Sequence, residues 1–103
     1  MARDALFNDV DFDTATDRLR QCVGQSAASF EAQVAFAASE IVVPKTYVAC
    51  ERDNALPYQV QLQLAAALGE DSRLVTVKSG HLVHRNTDAL PQVVAAIEDA
   101  ASP

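Results

Sequence analysis

A chain of 103 residues can build one small domain, with a modest core that buries about 60–65% of the unfolded surface. Half of the residues are hydrophobic, and fourteen acidic against eight basic residues give a formal charge of −6 without any basic run. This composition excludes a disordered chain and argues against nucleic acid as a partner, because phosphate neutralisation needs clustered cations.

No apolar run approaches the roughly 20 residues of a membrane span. The opening Met1-Ala2-Arg3-Asp4-Ala5-Leu6 has no apolar stretch resembling a secretion signal. Cys22 and Cys50 show neither metal-type nor redox spacing, so both are expected to be buried thiols in a reducing compartment. The expected location is the cytoplasm, with no membrane association. No cofactor is expected.

In chain order, residues 1–12 carry no clear period. From Asp13 the pattern turns helical. Asp13 or Thr14 can cap, Thr14 with Asp17 has the capping-box spacing, and Gly24 ends the run. The Ala- and Ser-rich segment Gln25 to Glu40 reads either as a short helix carrying Phe30, Val34 and Phe36 or as irregular packing. Lys45 to Cys50, after Pro44, predicts a strand. Pro57 suits the first turn of a helix that runs to Gly69, with Val60, Leu64, Ala67 and Leu68 on one face. Arg73 to Lys78 predicts a second strand, which Ser79-Gly80 breaks. Asp88 is expected to cap a last helix striped by Leu90, Val93, Val94, Ile97 and Ala101.

Strand, helix, strand, helix predicts an α/β fold with a parallel pair joined by a right-handed crossover. Tyr47 to Cys50 and Leu74 to Val77 are apolar at nearly every residue, as strands covered on two faces are. Two parallel strands leave two open edges and make no stable sheet alone, so the chain reads as part of a larger sheet.

Ligands of open parallel sheets bind beyond the carboxyl ends of the strands. Here the first strand leads into Glu51-Arg52-Asp53-Asn54-Ala55-Leu56-Pro57, and the second into Ser79-Gly80-His81-Leu82-Val83-His84. Neighbouring strands roughly 4.8 Å apart would bring a carboxylate and an imidazole out side by side. A carboxylate accepting from one ring nitrogen leaves the other free to act as a base. Glu51 is the alternative carboxylate. His81 and His84 form an H-x-x-H without a Glu or a third ligand, which argues against a metal site.

These segments resemble the end of the α/β-hydrolase fold, in which the acid precedes the histidine along the chain. The resemblance is strongest to the small esterases related to plant methylesterases and hydroxynitrile lyases. It rests on Val43-Pro44-Lys45-Thr46-Tyr47-Val48, the loop Glu51 to Pro57, Gln59-Val60-Gln61 and the turn Ser79-Gly80-His81. It implies that residues 43–103 are the C-terminal β-α-β-α unit of such a domain, with an incomplete sheet. Residues 1–42 would be a remnant of its helical cap region. It further implies Asp53 as the acid, Glu51 as the non-catalytic position and His81 as the general base of a Ser-Asp-His triad. A small-molecule ester would be the substrate of the full-length relative. Leu82 stands where the lyases typically place a Lys, which favours the esterase side.

The triad also needs a serine on a tight strand-to-helix turn, G-x-S-x-G. Gly24-Gln25-Ser26-Ala27-Ala28 has the right order but follows a helical pattern, and Ala28 replaces the last glycine. Ser26 is therefore not expected to be the nucleophile. The expectation is a truncated hydrolase, inactive alone because the serine and the oxyanion hole are missing. The reading from another class is a non-catalytic module that associates through its open sheet edge, with itself or with a partner.

Overall fold

A computed structural model describes residues 2–102. Its centre is one parallel pair of strands, β1 (Thr46–Cys50) and β2 (Arg73–Val77), with Thr46 opposite Arg73 and Cys50 opposite Val77. The described residues also form five α-helices: α1 (Ala2–Leu6), α2 (Phe12–Gln21), α3 (Ala27–Glu31), α4 (Tyr58–Ala67) and α5 (Leu90–Ala101). Two single-turn 3-10 helices, Ala38–Glu40 and Val83–Arg85, complete the set. The protein is a small α/β chain. No helix among the described residues is long and apolar enough to cross a membrane.

Side chains alternate across a strand, so the register puts Val48, Cys50, Val75 and Val77 on one face of the pair. There Cys50, Val77 and Ala89 form the core, with Val48, Val75 and Val83 packed against them. Helix α5 covers this face, and its Asp99 meets Arg73 of β2 at 2.9 Å. Both side chains are more than half exposed, so the pair contributes about 0–1 kcal/mol. Helix α4 lies on the opposite face, where the Tyr58 hydroxyl is 3.3 Å from Thr76 Oγ1. Both faces of the pair thus carry a helix, but on the α4 side Leu74 of β2 stays exposed.

Gly69 ends α4 with φ 112°, a left-handed conformation that glycine adopts without a Cβ penalty. The buried face of α4 differs from the expected stripe. Gln61 and Ala65 face inward, while Val60 and Leu64 remain exposed. The sheet pair is too narrow to cover the whole apolar girth of the helix.

The start of α5 also differs from expectation. Asp88 does not cap it: the N-cap position is Ala89, without a side-chain bond, and Asn86 closes the turn before it, its Oδ1 accepting from the N–H groups of Asp88 and Ala89, both at 3.0 Å. In α2 the cap is Asp11, whose carboxylate accepts from Thr14 N at 2.9 Å. That bond holds the Asp11 carboxyl below its ordinary value. The helix stops at Gln21, before Gly24, and Cys22 is exposed rather than buried. Every residue from Gln21 to Ala37 is exposed, including Phe30, Val34 and Phe36.

The accessible surface is 7582 Å², against about 5,600 Å² for a compact chain of this mass. Only about half of the unfolded surface is buried, less than the expected share. The radius of gyration, 15.4 Å, exceeds the roughly 13 Å of a compact domain of 100 residues. The reason lies in which residues are inside. Of the buried hydrophobic residues most are Ala, whereas Leu74, Val94 and Ile97 are exposed on β2 and α5.

Candidate acid–base site

The strand pairing continues one step past β1 and β2. Glu51 N–H donates to Val77 O at 2.9 Å, and Arg52 N–H to Ser79 O at 3.0 Å. The two following loops therefore leave the sheet in register, and the residues after them meet. His81 Nδ1 lies 2.9 Å from Asp53 Oδ2.

Each partner is held independently. The other oxygen of Asp53 accepts from Ala55 N at 2.8 Å and Leu56 N at 2.9 Å, so the carboxylate closes its own loop. Its side chain is 5% exposed, whereas that of His81 is 37% exposed. The anion is shielded and the imidazole reachable, as a base that must meet a substrate requires. Glu51, the alternative carboxylate, points its residue surface to solvent.

The acid loop is anchored from below by Gln61, which is 2% exposed. Its Oε1 accepts from Cys50 N at 2.7 Å, and its Nε2 donates to Cys50 O at 2.9 Å and Leu56 O at 2.8 Å. The histidine turn is anchored from the other side by the N-terminal segment. Asp9 Oδ2 accepts from Gly80 N at 2.7 Å, Asn86 Nδ2 at 2.8 Å and Ser79 Oγ at 3.4 Å. Asn8 Nδ2 donates to Arg52 O at 2.6 Å, and Asn54 Nδ2 to Asp4 O at 3.0 Å. Gly80 allows this approach. A Cβ there would overlap Asn8 Oδ1 and come within 2.7 Å of Asp9 Oδ1.

Electrostatically the site is acidic. Burial first, and then the charges of Asp53 and Asp9, push the Cys50 thiol up. Burial, then Cys50 and Asp53, raise the Tyr47 phenol. With Nδ1–H donating to the Asp53 carboxylate, the lone pair of His81 lies on Nε2, where it can take a proton from a hydroxyl or a water.

Sequence reasoning did not single out Asn8 and Asp9, and it took Gln61 only as part of a family pattern. The available signal for Gln61 was a polar residue on a helix otherwise apolar at its core-facing positions. For Asn8-Asp9, within a segment lacking any period, there was none. Ser26 stands at the exposed start of α3, after a helix and a short irregular link instead of a strand. His84 is exposed on the second 3-10 helix, and no three metal-binding side chains converge among the described residues. A cleft of about 320 Å³ sits at the opposite end of β1, lined by Val42, Pro44, Lys45 and Leu68 among others, without Asp53 or His81.

Comparison of the chain with family models, with curated proteins and with solved structures finds no match.

Proposed function

We propose that this chain is the acid–base portion of an α/β-hydrolase that cleaves small-molecule esters, with Asp53 as the orienting acid and His81 as the general base. The observation that carries the reading is the 2.9 Å contact between His81 Nδ1 and a shielded Asp53 carboxylate at the carboxyl ends of adjacent parallel strands. In such a reaction His81 Nε2 takes the proton of a serine hydroxyl as its oxygen bonds to the ester carbonyl carbon. The imidazolium, stabilised by Asp53, returns that proton to the departing alkoxide. Water then attacks the acyl carbon as His81 accepts its proton, and that proton passes to the serine oxygen as the acyl–serine bond breaks and the acid leaves. The serine and the oxyanion donors would come from the earlier strands of the sheet, since Ser26 has no elbow around it.

Reading the transcript upstream of Met1 tests this division of labour. An in-frame G-x-S-x-G preceded by a buried-strand pattern is the expected result. An in-frame stop without such a motif, or stoichiometric fluorophosphonate labelling of Ser26 in the purified chain, overturns it.

A second reading has its own observation: a surface about 2,000 Å² larger than a compact chain of this mass needs. An excess of that size is more than the roughly 800 Å² that each partner buries in a standard protein interface, and supports a non-catalytic module that associates through exposed strands and helices. A discrete dimer or heteromer in light scattering favours the module. A monomer or a broad distribution does not.

A further inference from the structure

We propose that Asp9 is a positioning residue for His81, acting through the backbone of Gly80; the inference rests on the acid–base reading above. The Asp9 carboxylate lies far from the imidazole in sequence but one residue from it in contact. It accepts the N–H of Gly80, the residue directly before His81, at 2.7 Å. The same oxygen accepts from Asn86 Nδ2 at 2.8 Å, and Asn86 in turn holds the first N–H groups before α5. One oxygen therefore ties the residue before His81 to the residue that closes the turn leading into the last helix.

Two further observations point the same way. The neighbouring side chain, Asn8, grips the carbonyl of Arg52, the residue directly before Asp53. The consecutive residues Asn8 and Asp9 thus hold the backbone one step ahead of the acid and one step ahead of the base. They set the separation of the two loops from outside the strand pair. In addition, Gly80 has ordinary negative φ, so its backbone does not call for glycine. What calls for glycine is the closeness of Asn8 and Asp9. A charged acceptor on a backbone N–H is among the stronger hydrogen bonds, and here it fixes where the imidazole ring starts.

The test is long-range proton–nitrogen NMR of the two imidazoles at a pH where both are neutral, with His84 as internal reference. The readout is the ratio of the Nδ1–H to the Nε2–H tautomer at His81. In the unmodified chain Nδ1–H dominates, and Asp53→Asn, whose amide donates to Nδ1, reverses the ratio. Asp9→Ala lowers the ratio by about fivefold or more, the scale of one lost hydrogen bond. Asp9→Asn, which keeps a neutral acceptor for Gly80 N–H, lowers it less. Asp9→Glu, with the charge one methylene too far out, also lowers it. These two variants carry the test if Asp9→Ala does not fold. A folded Asp9→Ala chain, or folded Asp9→Asn and Asp9→Glu chains, with the original ratio would overturn the proposal, even with a lowered Tm. If Asp53→Asn leaves the ratio unchanged, the acid–base reading itself fails, and the role of Asp9 fails with it.

Discussion

Gln61 pairs with Cys50 as a neighbouring strand would: its side-chain amide accepts the Cys50 N–H at 2.7 Å and donates to the Cys50 carbonyl at 2.9 Å. In a parallel pair the backbone groups of alternate residues point to opposite sides. Lys45 O and Glu51 N bond to β2, so Thr46, Val48 and Cys50 turn their backbone groups outward. Gln61 fills the last of these outward positions, beside the loop that carries Asp53.

Replacing Gln61 by Leu leaves the Cys50 N–H without a partner and takes the amide donor from the Cys50 and Leu56 carbonyls. The expected loss is about 2–4 kcal/mol, a large part of the 5–15 kcal/mol that holds a domain together. Urea unfolding measures it. Gln61→Glu keeps the size but aims a carboxylate at the Cys50 carbonyl, and should be at least as costly near neutral pH. A loss below about 0.5 kcal/mol for both, the range of ordinary surface changes, would mean that the amide does not hold the loop.

Gly80→Ala separates contact from conformation. The backbone there suits alanine, so any loss comes from Asn8 and Asp9 being pushed away. Overpacking of this kind costs about 1–3 kcal/mol. Hydrogen exchange should show the amides of residues 4–9 losing protection while β1 and α4 keep theirs. Uniform protection across the chain would refute the contact.

The two thiols should differ sharply in reactivity. Cys22 is exposed and Cys50 is buried, with its pKa raised by burial and by the charges of Asp53 and Asp9. Iodoacetamide at neutral pH is expected to alkylate Cys22 alone, with Cys50 reacting only on unfolding. The sign of the pH dependence follows from linkage. The folded state keeps the Cys50 proton at a pH where the unfolded thiol has lost it. The contribution is therefore complete below the ordinary thiol range of about 8.5 and declines as pH rises through it. Denaturation midpoints for Cys50→Ser and the unmodified chain should converge as pH climbs from 7 to 10, and parallel lines would contradict this.

Ile97→Asp addresses the exposed faces. Ile97 is 63% exposed on α5, so its replacement should alter stability by no more than about 0.5 kcal/mol. If α5 takes part in association, the same change lowers the weight-average mass in light scattering at high concentration. An unchanged mass, with the unmodified chain self-associated, moves the contact to another surface.

The second half of the chain was legible because glycine and proline punctuate it. Pro44 precedes β1, Pro57 and Gly69 bracket α4, and Ser79-Gly80 closes β2. These signals are local, and so were the acid and histidine at the ends of the strands. The first half was not legible in the same way. Its helices α1 and α3 are five residues each, too short for a periodic stripe. Asp11 caps α2 in place of Asp13 or Thr14, and Asn86 closes the turn into α5 in place of Asp88, because several Asp, Asn and Thr side chains compete for each helix start and tertiary contacts choose among them. Val60 and Leu64 misled because the apolar pattern of α4 marks a buried side only where there is enough sheet to bury it.

The contacts of Asp9 span 71 residues to Gly80 and 77 to Asn86, whereas Asp53 and His81 are 28 apart. Long-range contacts close late in folding, since the intervening chain must be ordered first. The β1–α4–β2 unit can therefore form before the histidine turn is braced, and the order of events separates folding of the sheet from maturation of the site. During synthesis the N-terminal segment emerges first and waits for the turn it will hold. A proteolytic cut in the exposed stretch between α2 and β1 would leave both elements intact, yet turn this intramolecular brace into an encounter between two pieces, dependent on their concentration.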